Sequence, residues 1–229
     1  MKTLATLLLS ITIFLPSFGQ KRNVDVGNFS ELSLGISATV YVKQGSTTSV
    51  EIECDNDIFD EIEFDLKGDR LVIKREGNWG WGNGWRRSEV TVFVTMNEIE
   101  ALSVSGSGTI ESDGRLNTDN VRISVSGSGD LDLDLDAEEI DLRISGSGSI
   151  KLNGSADEAE AKISGSGRVK AEDMTVKFFQ ARISGSGSCY ITASEEIDAS
   201  ISGSGSVYYS GEPKRINSNS SGSGKVRKM

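Results

Sequence analysis

The sequence predicts an all-β fold, a parallel β-helix (solenoid) of about 19–20 residues per coil, on three observations. The tetrapeptide Ser-Gly-Ser-Gly occurs seven times, starting at Ser105, Ser126, Ser145, Ser164, Ser184, Ser202 and Ser221, in steps of 21, 19, 19, 20, 18 and 19 residues. A fixed period in this range means one supersecondary unit stacked on copies of itself. Matched apolar side chains flank every run. Those columns are spaced by two within a repeat, which is strand periodicity rather than helix periodicity.

Taken in chain order, Met1 to Gly19 reads as a secretory signal peptide. Lys2 gives the positive start, Leu4 to Leu15 is almost wholly apolar, and Ser17-Phe18-Gly19 has small residues at the cleavage-specifying positions. The apolar run falls short of the roughly 20 residues that span a bilayer, and Pro16 interrupts it. Nothing later is apolar enough to cross, so an exported chain without an integral membrane segment is expected. Residues 20–28 read as a short linker before a head domain at 29–229.

Residues 29–104 look like degenerate coils. Leu34 to Val42 has a Gly/Ser/Ala patch between alternating apolar residues, and Val50–Cys54, Ile62–Leu66, Leu71–Ile73 and Val90–Val94 are further alternating strands. Gly68-Asp69 between two of them is a hairpin signal. Some antiparallel pairing is expected here, as is the cap that a solenoid needs on its first coil.

All three tryptophans fall in one insertion at 77–87, Gly-Asn-Trp-Gly-Trp-Gly-Asn-Gly-Trp-Arg-Arg. Exposed indoles stack on sugar rings and protein surfaces, and interfaces favour Trp and Arg together. The bland alternative is that the indoles fold back as a lid over the core. Trp79, Trp81, Trp85, Arg86 and Arg87 are the candidate ligand-binding residues.

From 105 to 229 the coils are regular. Ile110, Leu131, Ile150, Val169, Cys189, Val207 and Val226 stand two places after the runs. Val104, Val125, Ile144, Ile163, Ile183 and Ile201 stand one place before, until Ser220 breaks the column. Parity puts both glycines of each run inward and the serines outward as a hydroxyl ladder, unless a bulge inverts it. With strand rise and ~4.8 Å stacking, seven copies make a rod on the order of 30 Å long. The calcium-binding nonapeptide roll has about half this period and an Asp in each turn, which this chain lacks. An α-solenoid would be broken by the glycines.

The chain carries a net charge of −10, or −11 without Lys2, which disfavours nucleic acid and anionic membrane as partners. Arg143, Lys162 and Arg182 form one outward column, offset by Asp141, Glu160 and Asp198 beside it; Lys151 and Lys170 form a second short run. Asp130, Asp132, Asp134 and Asp136 line one strand, but ~6–7 Å spacing along it is too splayed for calcium without another coil. Cys54 and Cys189 fall at inward parities and read as small buried hydrophobes in preference to a bridge. There is no histidine, which removes His-based nucleophile pairs and metal sites. Seven equivalent serine-bearing copies cannot each be an active site. No catalytic residue, cofactor or metal is assigned.

The strand Thr91-Val92-Phe93-Val94-Thr95-Met96 leading through Asn97–Ser103 into the first glycine coil, with the Ile-Ser-Gly-Ser-Gly coils after it, resembles the bacterial family called putative auto-transporter adhesin, head GIN domain. The similarity covers about Phe29 to Val226. It implies a right-handed parallel β-helix, exported to the periplasm, cell surface or medium and named for adhesion, with no catalytic residues to carry over. The chain departs from an autotransporter in having no barrel segment after the repeats. The expectation is a non-catalytic binding module that meets a glycan or surface protein through the tryptophan loop. A self-associating structural protein ranks second, and a polysaccharide-active enzyme third.

Overall fold

The computed structural model describes residues 20–75 and 89–229; the expected signal peptide and the expected tryptophan contact lie outside them. In chain order come β1 (Gln20–Val24), β2 (Glu31–Leu34), β3 (Thr39–Gln44), β4 (Ser49–Cys54), α1 (Asn56–Phe59), β5 (Ile62–Lys67), β6 (Arg70–Arg75) and β7 (Thr91–Met96). The regular part follows as β8 (Ala101–Gly106), β9 (Thr109–Ser112), β10 (Leu116–Gly127), β11 (Asp130–Gly146), β12 (Ser149–Gly165), β13 (Arg168–Gly185), β14 (Ser188–Gly203), β15 (Ser206–Ser210), β16 (Arg215–Gly222) and β17 (Lys225–Lys228). Nearly every element is a strand, and the regular part winds as the parallel β-helix that the repeat predicts.

The long strands bend around corners and pair in parallel with the next coil over most of their length. Val104, Val125, Ile144, Ile163, Ile183 and Ile201 stand directly opposite one another from coil to coil, and all are buried. Leu131, Ile150, Val169, Cys189 and Val207 form a second buried ladder across the interior. Repeated aliphatic positions therefore fuse into one continuous apolar core, which is why a period of matched residues suffices to specify the winding.

The glycine runs need a correction. The second glycine of each run is buried and inward, as parity requires. The first is not inward. It takes φ between 112° and 128° and sits half-buried or exposed at the corner. From the second run on, its neighbour's amide donates to the equivalent glycine carbonyl of the preceding coil, as in Ser147 N–H to Gly127 O at 2.8 Å. A Cβ on Gly146 would lie 2.4 Å from that same carbonyl oxygen. The left-handed corner reverses the side-chain sense midway through the run, so alternation cannot be carried across it. The serines do point outward.

At the N-terminal end the coils are stacked out of sequence. β2 lies between β6 and β8, and β3 between β7 and β9, all in parallel. The chain thus lays down one coil, runs past it to build the end layer, and returns on the other side. β4 pairs antiparallel with β1 and β7, and β5 pairs antiparallel with β6 through the Gly68 turn. These hairpins cover the first open end of the core, with Ile58 and Ile62 buried beneath them. Residues 20–24, expected within a linker, belong to this cap as β1, because Gln20 to Val24 run in register with Cys54 to Val50.

Candidate functional site

β6 and β7 are consecutive strands of the end layer, in register with β2 and β3 of the coil above it. In the seven regular coils the equivalent corner is closed by Ser-Gly-Ser-Gly. Here it is replaced by the segment that contains Trp79, Trp81, Trp85, Arg86 and Arg87. Those five residues lie outside the described ones, but both anchors of the segment lie within them. Gly35 N–H donates to Ile73 O at 2.8 Å, and Thr39 N–H donates to Val90 O at 3.0 Å. Arg75 is held to Glu61 at 2.7 Å. The insertion therefore starts and ends on tightly hydrogen-bonded backbone at one corner of the rod.

A groove of about 1000 Å³ runs along a different corner, across the coils from β2 to β14. Its lining is polar and rich in carboxylates, with Arg122 as the one basic residue among those described. Glu139 and Glu158 stand in register on adjacent coils with no basic partner among the described residues, and Phe178 continues the same column, 45% exposed. The neighbouring column, Asp141 and Glu160, is neutralised: Arg143 binds Asp141, and Lys162 and Arg182 both bind Glu160. The positive and negative columns read from the sequence therefore offset each other as expected. Pairs this exposed contribute little to stability. The residual character of the groove is acidic, so it favours cationic over anionic ligands.

Three of the four alternating aspartates at the start of β11 are likewise engaged. Lys151 binds Asp132 at 3.0 Å, Arg115 bridges Asp134 and Asp136 at 2.9 and 3.1 Å, and Ser155 donates to Asp136 at 2.6 Å. The Ser155 hydroxyl, with Arg115 behind it, holds the Asp136 carboxyl below its usual range. Asp132, Asp134 and Asp136 are thus paired with cations from adjacent coils. Among the described residues, no three of Cys, Asp or Glu gather in a metal-holding arrangement.

Cys54 and Cys189 are free and buried. Burial pushes the Cys189 thiol up to about 12, and burial is also the main cause raising Cys54. A thiol kept protonated in an aliphatic column is packing material and a poor nucleophile.

One feature escaped the sequence reading. Tyr190 and Tyr208, on adjacent coils, stack with ring centroids 4.9 Å apart. They continue the column of Lys151 and Lys170, and following that column past its two lysines would have found them. Among the described residues, no helix is long and apolar enough to cross a membrane.

Residues 28–213 match the family described as putative auto-transporter adhesin, head GIN domain. No curated protein matches. Among solved structures, a putative adhesin from Bacteroides fragilis is 23% identical, with 92% of this chain and 96% of that one covered and a TM-score of 0.83. A putative lipid binding protein from Parabacteroides distasonis is 22% identical, covering 93% and 98%, with a TM-score of 0.69. A putative adhesin from Parabacteroides merdae is 20% identical, covering 93% and 97%, with a TM-score of 0.70. At these identities the likeness establishes a shared fold.

Proposed function

Because the chain belongs to the family of putative auto-transporter adhesins, head GIN domain, we propose that it is an exported, non-catalytic binding module of the cell envelope or cell surface. The observation that carries this reading is the replacement of one glycine corner by the tryptophan insertion, anchored on the end layer of a rigid rod. The corresponding corner of each of the seven regular coils is closed by four small residues, which offer little to grip a partner. This one concentrates Trp79, Trp81, Trp85, Arg86 and Arg87 in a single segment. Indoles offer large contact area for little conformational entropy, and guanidinium groups add directional hydrogen bonds. The partner is a glycan or a surface protein, met by stacking on the indoles and by hydrogen bonds from the arginines. The rod presents this end at a distance from whatever holds the other.

The test is a screen of envelope and host-surface glycans and proteins with the exported chain beside Trp79→Ala/Trp81→Ala/Trp85→Ala. The expected result is a ligand captured by the wild type and lost in the triple variant, with unchanged thermal unfolding. A ligand held equally by both forms removes the insertion as the contact.

A further inference from the structure

A second surface stands at the other end of the rod. On the outward face of the strands after the glycine corners, Lys170, Tyr190, Tyr208 and Arg227 are in register on four successive coils. Arg168, Ser188, Ser206 and Lys225 form the column beside them, two residues away on the same face. With ~4.8 Å between coils and ~6–7 Å between columns, the four cations mark the corners of a patch about 14 Å by 7 Å. The stacked tyrosines and the two serines fill its middle. The tyrosine rings face each other along the rod. The stack uses one face of each ring, and the ring edges and hydroxyls are left for a ligand.

These cations differ from their neighbours in the same coils. Arg143, Lys151, Lys162, Lys177, Arg182 and Arg215 in the same coils are each bound to a carboxylate. Arg168, Lys170, Lys225 and Arg227 are exposed and have no acidic partner among the described residues. Four unopposed charges thus gather on one face of a chain whose net charge is −10. Further along β13 from Lys170 the patch is bounded by Glu172 and Asp173, which act electrostatically on Lys151 of the preceding coil, and beside the last coil by Glu212, bound to Lys228.

Every charged group in the patch is a hydrogen-bond donor only, and the hydroxyls between them both donate and accept. The complementary ligand carries sparse negative charge separated by stretches rich in hydroxyls. A dense polyanion such as nucleic acid, or an anionic bilayer, would set its further charges against the surrounding acidic surface, the Glu139–Glu158 groove included. We propose that this patch binds a linear acidic polysaccharide lying along the rod. Arg168 and Lys170 hold a carboxylate or sulfate at one end, and Lys225 and Arg227 hold another. Tyr190, Tyr208, Ser188 and Ser206 bond the sugar hydroxyls between them. The proposal rests on the binding role above, but its site is roughly 30 Å along the stack from the tryptophan insertion.

The exported chain is assayed against a polyuronate, a sulfated glycosaminoglycan, neutral dextran, a thymidine oligonucleotide and phosphatidylglycerol vesicles, at low and moderate salt. The expected result is salt-sensitive affinity for the polyuronate, the sulfated chain or both, and none for dextran. Arg168→Gln/Lys170→Gln/Lys225→Gln/Arg227→Gln should lose about tenfold or more and flatten the salt dependence. Tyr190→Phe/Tyr208→Phe should weaken binding at unchanged salt slope, and the triple tryptophan variant should bind the acidic chains as the wild type does. The four cations are exposed, so matched unfolding curves are expected and are measured alongside. Absence of binding to both acidic chains overturns the proposal. So does affinity unmoved by the four-cation variant, or tighter binding of oligonucleotide or vesicles. Acidic-chain binding lost only in the tryptophan variant would sink this site and support the other.

Discussion

Gly167 faces Ile144 of the preceding coil so closely that a Cβ on the glycine would lie 2.3 Å from the isoleucine Cγ2. The Gly148 carbonyl oxygen would be 2.9 Å away on the other side. The inward glycine is therefore the space into which the aliphatic ladder of the neighbouring coil fits. Gly167→Ala forces the coils apart or the isoleucine off its rotamer, at a cost of about 1–3 kcal/mol. Gly165→Ala costs more, because φ of +115° is strained for alanine and its Cβ would meet the Gly146 carbonyl at 2.5 Å. Urea unfolding of both variants beside Ser166→Ala checks the order: the exposed serine should stay within about 0.5 kcal/mol of wild type. Equal stability of all three would mean that the corner has slack enough to absorb a methyl group.

Ile163 stands in register between Ile144 and Ile183 and is 2% exposed. Removing three carbons from the middle of a packed column leaves a cavity that neighbouring coils cannot fill without breaking register. Ile163→Ala is expected to cost about 2–5 kcal/mol in denaturant unfolding. A loss below about 1 kcal/mol would show that the coils act as loosely coupled units.

How much of this was legible beforehand follows from which interactions repeat. The ladder from Val104 to Ile201 was readable because each coil solves the same packing problem with the same residue at the same offset. The corner was misread at Gly106 and its equivalents, since alternation holds only while φ stays extended. The end layer could not be derived: β6 and β2 meet through parallel pairing of segments whose order in space is not their order in the chain. Gly68-Asp69 announced a local hairpin, whereas the insertion of β2 between β6 and β8 is a long-range choice with no local signal. The charged columns were seen one at a time. The patch around Tyr190 needed both columns and the knowledge of which cations lacked partners.

Cys189 sits between Val169 and Val207 in the buried ladder, and its thiol is pushed up to about 12 by burial. The unfolded thiol titrates near 8.5. Below that pH both states are protonated and the buried thiol costs nothing. As pH rises, the unfolded state loses its proton first, so the folded state loses stability progressively until the pH reaches the folded value. The full effect is roughly 4–5 kcal/mol, at about 1.4 kcal/mol per unit. Cys189→Val matches its neighbours in the ladder and removes the titration. The variant should therefore hold its urea midpoint better than wild type between pH 9 and 12. In the wild type the thiol should resist a thiol reagent at pH 8 until the chain unfolds. Rapid labelling of Cys189 in the native state would contradict this.

Ser220 stands opposite Ile201 in the ladder whose other members are all buried, yet it is exposed, and its hydroxyl donates to Gly224 O at 2.9 Å. Ser218 breaks the adjoining column in the same way, opposite Ala199. The last coil therefore ends the apolar core with polar groups, and the strand beside it carries Lys225, Arg227 and Lys228. Unpaired strand edges invite pairing with another chain, and polar or like-charged residues there oppose it. Ser218→Val/Ser220→Ile would carry the apolar ladder out to the open end. Two such ends meeting would remove these side chains from water, each worth about 1.5–3 kcal/mol when fully buried. That is enough to tighten dimerisation by tenfold or more per side chain, at about 1.4 kcal/mol per factor of ten. Sedimentation of the double variant should shift to larger species as concentration rises, while the wild type keeps one sedimentation coefficient. Adding Arg227→Glu to one preparation and mixing it with the unmodified double variant places opposite charges across the joint and should favour mixed dimers. Association of the wild type at the same concentrations would show that the serines and lysines do not guard this end, and that joining end to end is native to the protein.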